Sequence, residues 1–207
     1  MAKNFSLKKK EKVLVGVDEA GRGPLAGPVV ACALSFQLGQ KKKLFKIEIK
    51  DSKQLSCQRR EEIFRILKKH PSVVWGIGKV SERVIDKINI FEATKLAMER
   101  AVKNLEKKIA KPISFLLIDG NFGINLSVSQ KSIIRGDERV FLIKLASIVA
   151  KVKRDRIMVN YHRKYPDYYF NKHKGYGTKL HLRMLKKFGP SKIHRKTFEP
   201  VRRYCQI

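Results

Sequence analysis

Acidic residues are scarce in this chain. Its 207 residues include only 18 Asp and Glu against 47 Lys and Arg, a formal net charge of +29. A chain so one-sided repels itself, and tolerating that cost fits a polyanionic partner, although a Lys-rich solvated surface would give the same count. Cysteine is scarce too. Cys32, Cys57 and Cys205 are odd in number, widely spaced and outside any Cys-x-x-Cys pattern. That argues against a disulfide framework or a zinc site, and for a reducing, cytoplasmic setting. No run approaches the roughly 20 apolar residues of a membrane span. The N-terminus, Met-Ala-Lys-Asn-Phe-Ser-Leu-Lys-Lys-Lys, lacks the apolar core of a secretion signal. Internal repeats and low-complexity linkers are missing as well, so a single domain over 1–207 is expected. Residues 1–12 would form a basic arm, and about 160–207 a basic helical C-terminal part.

What is present has the alternation of an α/β domain. Val13–Val17 is an apolar, β-branched run, and Pro28–Phe36 is a second one, antiparallel to it across a short glycine-rich connection. Ser56 reads as the N-cap of a helix over Gln58–Lys69 that Pro71 ends. Val73–Val80 alternates as a strand. Ser81–Lys108 is helical, with Asn89 capping its longer second piece, and Pro112 closes it. Ile113–Ile118 is a buried strand, Val128–Ile134 a short one, and helices follow over about Arg139–Tyr161 and Lys179–Phe188. Residues 151–207 hold 17 Lys and Arg against 3 Asp and Glu, interleaved with tyrosines and phenylalanines.

The few acids fall at telling places. Asp18 and Glu19 end the first strand, Asp119 ends the strand after Pro112, and Asp137 precedes a long helix. Strand ends are where sites collect in an open α/β sheet. Carboxylates converging there would hold two hard divalent cations, an arrangement suited to phosphoryl transfer. Spacing alone leaves two readings open, a shared metal site or solvated turn residues.

A resemblance narrows them. Gly16-Val-Asp-Glu-Ala-Gly-Arg-Gly-Pro-Leu-Ala-Gly-Pro-Val-Val30 resembles the N-terminal signature of bacterial ribonuclease HII. Asp51-Ser-Lys-Gln-Leu55, Asn89-Ile90 with Ala93–Met98, and Leu117-Ile-Asp-Gly120 follow in that family's order. So do Gly136-Asp137, Ala146–Val152 with Arg154-Asp155, His173-Lys-Gly-Tyr-Gly-Thr178, and Gly189-Pro190 with His194-Arg195 and Phe198–Val201. The match spans about residues 13–202. It implies an RNase H-like fold, a mixed central sheet flanked by helices with a helical C-terminal region. It also implies cleavage of RNA in RNA–DNA hybrids, and 5′ to single ribonucleotides in duplex DNA, leaving 3′-hydroxyl and 5′-phosphate ends. Asp18, Glu19, Asp119 and Asp137 match the family's four metal-binding carboxylates, with Mn2+ or Mg2+ as cofactor and two ions in the active complex. Ribonucleotide removal from DNA and RNA primer removal are the implied roles, carried out by a monomer without membrane attachment.

The same resemblance assigns the Gly21-Arg22-Gly23 turn to reading the 2′-hydroxyl, and Tyr176 to packing on the sugar of the next deoxynucleotide. Lys53, Arg22, Lys174 and the C-terminal basic cluster are candidates for phosphate contacts. Asp155 is left outside the ligand set as a helix-surface ion-pair residue, with Lys151 its expected partner. A site of hard oxygen ligands needs no histidine, so His162, His173, His181 and His194 are not expected to be catalytic. Of these, His173 is expected to touch substrate or shape the tyrosine loop. The family usually has a run of small residues where this chain has Ile143-Lys144-Leu145-Ala146-Ser147.

Overall fold

The computed structural model describes residues 12–36 and 55–205. The basic arm before Lys12, the Lys41–Lys43 loop and most of the Asp51–Leu55 motif, Lys53 included, lie outside the described residues.

The described strands form one five-stranded sheet in the order β3-β2-β1-β4-β5. They are β1 (Leu14–Ala20), β2 (Val29–Phe36), β3 (Val73–Val80), β4 (Phe115–Asp119) and β5 (Gln130–Ile133). β1 pairs antiparallel with β2, and β2 with β3, whereas β4 runs parallel to β1 and β5 parallel to β4. The parallel pair places Val17 beside Ile118. The next residues along, Asp18 and Asp119, therefore come out together at one end of the sheet, although about a hundred residues separate them.

Helices cover both faces. α1 (Cys57–Lys69) starts where Ser56 accepts a hydrogen bond from the Arg59 N–H. α2 (Glu82–Glu106) is two helical pieces joined at Asn89, whose φ is 64° and whose Oδ1 accepts from the N–H groups of Phe91 and Glu92. The cap expected from the sequence thus appears as a kink inside one long helical segment. α2 lies on β3 at very short range: a Cβ on Gly78 would sit 1.8 Å from the Ala97 carbonyl oxygen. Between them is a core that includes Val15, Val17, Ala97, Met98, Ala101 and Leu105.

The opposite face carries α4 (Phe141–Lys164), packed with α1 around Cys32, Leu34, Phe64, Leu145, Ile148 and Val149. α4 approaches β1 at Gly16, where a Cβ would stand 2.4 Å from the Leu142 carbonyl carbon. Ile143, Leu145, Ala146 and Ser147 are all buried along this helix. The long helix begins two residues later than the sequence suggested. Residues Gly136–Arg139 form a separate one-turn helix, α3, entered through Arg135 in the left-handed region at φ 55°.

The C-terminal part comprises a turn at Pro166–Tyr168, a short helix α5 (Phe170–His173) and α6 (Lys179–Phe188). α6 starts where the Thr178 hydroxyl accepts from the His181 N–H, and it stops at Gly189. This region is not a separate body. Ala26 forms a bridge with His194, and Gly27 N–H donates to the Ile193 carbonyl at 2.8 Å, so it closes onto the turn after β1. No helix among the described residues is long and apolar enough to cross a membrane.

Candidate active site

Successive residues of a strand point to opposite faces, so Asp18 shares the α4 side of the sheet with Gly16. It is only 4% exposed. Glu19 follows it, and the parallel β4 brings in Asp119. One carboxylate oxygen from each of Asp18, Glu19 and Asp119 falls within a group spanning 4.8 Å. The backbone holds this group in place. Asp18 Oδ1 accepts from the Glu19 N–H at 2.7 Å, and Asp119 Oδ1 accepts from the Gly136 N–H at 2.7 Å and the Asp137 N–H at 3.4 Å. Asp137 is buried, at 3% exposure, behind Asp119. It joins the cluster through that backbone hydrogen bond and is not one of the residues whose oxygens lie within 4.8 Å.

Electrostatically the cluster is unbalanced. Burial, then the charges of Glu19 and Asp119, push the Asp18 carboxyl well above its ordinary range. Burial also raises Glu19, offset by the Arg22 guanidinium, whose Nη1 is 3.7 Å from Glu19 Oε1. Glu19 Oε2 is buried without a hydrogen-bond partner. Buried acceptors left without donors are costly, and three oxygen ligands so arranged suit a hard divalent cation. The donor set therefore fits Mn2+ or Mg2+.

Immediately beyond Glu19 the chain enters the Gly21–Pro28 turn. Its first two glycines, Gly21 and Gly23, serve different ends. Gly21 is buried with φ 100°, and a Cβ there would be 2.1 Å from Arg154 Nε. Gly23 is exposed, and a Cβ on it would meet only Tyr176 Cε1, at 4.0 Å. Open backbone facing solvent is thus a property of Gly23, while Gly21 is glycine for folding reasons. Arg22 is exposed, with its guanidinium 5.8 Å from the Phe122 ring centroid.

The Tyr176 loop packs against this turn. Leu25 N–H donates to the Gly175 carbonyl at 2.8 Å, and the Tyr176 ring stands beside Gly23 with half of its surface exposed. Lys174, a candidate phosphate contact, has its Nζ turned onto the Asn171 carbonyl. Behind the loop lie three buried histidines whose hydrogen bonds assign their protons. Ser191 N–H donates to His194 Nδ1 (2.9 Å), His194 Nε2–H to His181 Nε2 (3.0 Å), and His181 Nδ1–H to the Tyr176 carbonyl (2.9 Å). His173 accepts from the Gly175 N–H and donates to the Tyr168 carbonyl. His173 therefore shapes the tyrosine loop from beneath. Asp155 pairs with Arg60 of α1, Nη2 to Oδ2 at 3.6 Å, a tertiary contact between two helices.

The residues that sequence reasoning passed over are Arg154 and Arg195, both effectively fully buried. Arg154 donates to the carbonyls of Pro28 (3.0 Å), Ala26 (3.1 Å) and Lys174 (3.0 Å). Arg195 donates to those of Gly27 (3.0 Å), Arg22 (2.7 Å) and Gly21 (2.5 Å). Burial, then the charge of Arg154, pulls Arg195 down to about 9, which leaves it a cation at neutral pH. Nothing in an Arg-Asp or His-Arg dipeptide announces a buried guanidinium, since arginine is ordinarily a surface residue.

An RNase H-like sheet with a carboxylate cluster at its strand ends defines a metal-dependent nuclease. The model of the family Ribonuclease HII matches residues 15–201. Ribonuclease HII of Chlamydia pneumoniae is 46% identical over 197 residues, 94% of this chain and 87% of that protein. Ribonuclease HII of Pseudothermotoga lettingae is 49% identical over 188 residues, covering 91% and 78%. Among solved structures, the RNase HII of Archaeoglobus fulgidus, in a complex with PCNA, is similar with a TM-score of 0.74 at 25% identity, over 90% of this chain and 95% of that one. Bst-RNase HIII in complex with Mn2+ shares the fold with a TM-score of 0.72 at 16% identity, over 94% and 70%. The chain belongs to the ribonuclease HII family, and its activity is that of a ribonuclease H.

Proposed function

We propose that the protein cleaves RNA in RNA–DNA hybrids, and cleaves 5′ to single ribonucleotides embedded in duplex DNA, by two-metal hydrolysis that leaves 3′-hydroxyl and 5′-phosphate ends. One observation carries this reading: the carboxylate cluster leads directly into a turn whose Arg22 and Gly23 are exposed beside a half-exposed tyrosine. Asp18, Glu19 and Asp119 would hold the cation, with Asp137 completing the set beside Asp119. Bound divalent ions supply a nucleophile of lowered pKa and a charge that stabilises the leaving oxygen. The chain's own residues do the rest. The Asp18 and Asp119 carboxylates are fixed by backbone donors before any ligand arrives, so little reorganisation is needed.

Gly23 leaves room for a sugar to approach the backbone, and Tyr176 offers the next sugar a flat apolar surface. A ribose differs from a deoxyribose at this surface by the 2′-hydroxyl, a group that backbone donors and acceptors can read. Arg22, beside Glu19, and the basic C-terminal part would meet phosphates, as would Lys53 of the Asp51–Leu55 motif. Ribonucleotide removal from DNA and RNA primer removal would follow from this specificity. In this reading the enzyme is a monomer of the cytoplasm.

The test is a DNA duplex carrying one ribonucleotide, incubated with the purified protein and Mn2+ or Mg2+. A single cut 5′ to the ribonucleotide, with a 3′ end that a polymerase can extend, is expected. An intact duplex under both metals would overturn the reading.

A further inference from the structure

Six of the eight carbonyl oxygens between Gly21 and Pro28 are held from the protein side: those of Gly21, Arg22, Leu25, Ala26, Gly27 and Pro28. Five of them are bound by two guanidinium groups, and the sixth, of Leu25, by the Arg195 N–H at 2.9 Å. Two buried cations spent on backbone carbonyls are expensive to place, because desolvating a charge is compensated best by a carboxylate. Neither Arg154 nor Arg195 has a carboxylate within ion-pair distance among the described residues. What the arrangement secures is geometry.

In a trans peptide the carbonyl and the N–H point in opposite directions. Arg195 draws the carbonyls of Gly21 and Arg22 inward, so the N–H groups of Arg22 and Gly23, in those same two peptides, face the open side of the turn. Arg154 bridges the other end. Its fork spans Pro28 and Ala26 on the turn and Lys174 on the tyrosine loop, with its guanidinium 5.8 Å from the Tyr176 ring centroid. The planar guanidinium, with its fixed donors, can do this; a lysine ammonium, a point charge on a flexible stem, cannot.

We infer that Arg154 and Arg195 are positioning residues for sugar recognition: together they preset the Gly21–Gly23 turn with its donors outward and lock it to the Tyr176 loop as one rigid reader. This rests on the substrate reading proposed above. Neither arginine touches substrate, and neither is needed to hold the cation. Both leave a positive charge directly beneath a surface that meets a polyanion.

The test is discrimination. For the wild type, Arg154→Lys and Arg195→Lys, KM is measured with Mn2+ on a duplex carrying one ribonucleotide, and Ki for the same duplex in all-deoxy form as competitor. Their ratio is a property of each folded molecule, so partial unfolding does not move it. The lysine variants are expected to lose at least fivefold of the wild-type ratio, while calorimetric Mn2+ affinity stays within twofold. An unchanged ratio in both folded variants overturns the inference. If the wild type leaves the ribonucleotide duplex uncut, the substrate reading has failed. That outcome removes the role in sugar recognition with it; if instead neither variant folds, hydrogen exchange on the wild type decides. A preset turn protects the Leu25 and Gly27 amides in the free protein, whereas protection only when a duplex is bound overturns the inference.

Discussion

The carboxylate cluster and the turn beside it are separated in the chain by Ala20 alone, yet they are built on opposite plans. At Asp18, Glu19 and Asp119, like charges are packed together, burial raises the Asp18 and Glu19 carboxyls, and one Glu19 oxygen lacks a donor. At Gly21–Pro28, the carbonyls are drawn into guanidinium forks and backbone bridges. The first region is incomplete without a ligand, and the second is complete before one arrives. Chemistry needs a site whose unmet valence a cation can fill. Discrimination needs donors that are already in place, since a flexible reader would spend binding energy on ordering itself.

The largest effect should come from removing a charge at the incomplete region. Asp18→Asn keeps the oxygen that accepts from the Glu19 N–H but loses the negative charge. Cleavage is expected to fall on the order of a thousandfold or more. Metal-free stability should hold or rise by about 1 kcal/mol, because a repelling buried carboxylate is gone. Gel assays and thermal melts check the two halves. Wild-type cleavage in the variant would show that the cluster is not the catalytic centre.

Alanine at Gly21 or at Gly23 sharpens the contrast within the turn. Gly21→Ala forces a side chain into a left-handed position and into Arg154, costing on the order of 1–3 kcal/mol from backbone strain alone. Gly23→Ala has space and should leave stability within about 0.5 kcal/mol. Its effect should fall on KM for the ribonucleotide duplex. Equal destabilisation in chemical denaturation would erase the distinction drawn between the two glycines.

Tyr176→Ala comes next in size. The ring is half-exposed and its loop is held by backbone contacts and by the histidines beneath. Removing it should raise KM roughly tenfold, equivalent to about 1.4 kcal/mol, with the melting temperature nearly unchanged. A large drop in melting temperature with no change in KM would make Tyr176 a core residue.

The smallest and most gradual effect is that of pH on the support beneath Tyr176. His181 is held down to about 4 by burial and then by His173, and His194 to about 3 by burial and then by His181. The unfolded chain takes up these protons near pH 6.5, which the folded chain resists. Their contribution to stability is therefore complete above about 6.5 and is lost as pH falls through about 4 and then 3. Asp18 and Glu19, whose carboxyls are raised, act in the opposite sense over the acidic range. The histidine share is read as a difference: His194→Asn should flatten the decline in denaturation midpoint between pH 7 and pH 5. An identical slope in both proteins would remove the histidines from the acid response.

Much of this was legible in the linear chain. The Ser56 cap, the Asn89 interruption, the stop at Gly189 and the alternation of Val73–Val80 are local features, and local chemistry is enough to produce them. The carboxylates were conspicuous because acids are rare here and stand at the ends of apolar runs. The glycine turn and Tyr176 were recognisable through the order of their motifs. The one-turn helix at Gly136–Arg139 and the Asp155–Arg60 pair were not, because both depend on how neighbouring elements pack.

What the sequence determined by itself, then, is the set of elements, their caps and the residues carrying charge where apolar runs end. Those follow from periodicity and composition over a few residues at a time. The tertiary structure alone decided that β1 and β4 lie parallel in a register that joins Asp18 to Asp119. It also decided that two arginines, 126 to 174 residues from the carbonyls they hold in β1's turn, are buried there. The physical reason is range. Capping and alternation act within one or two turns of the chain, while a buried charge can be accounted for only once every partner around it is known.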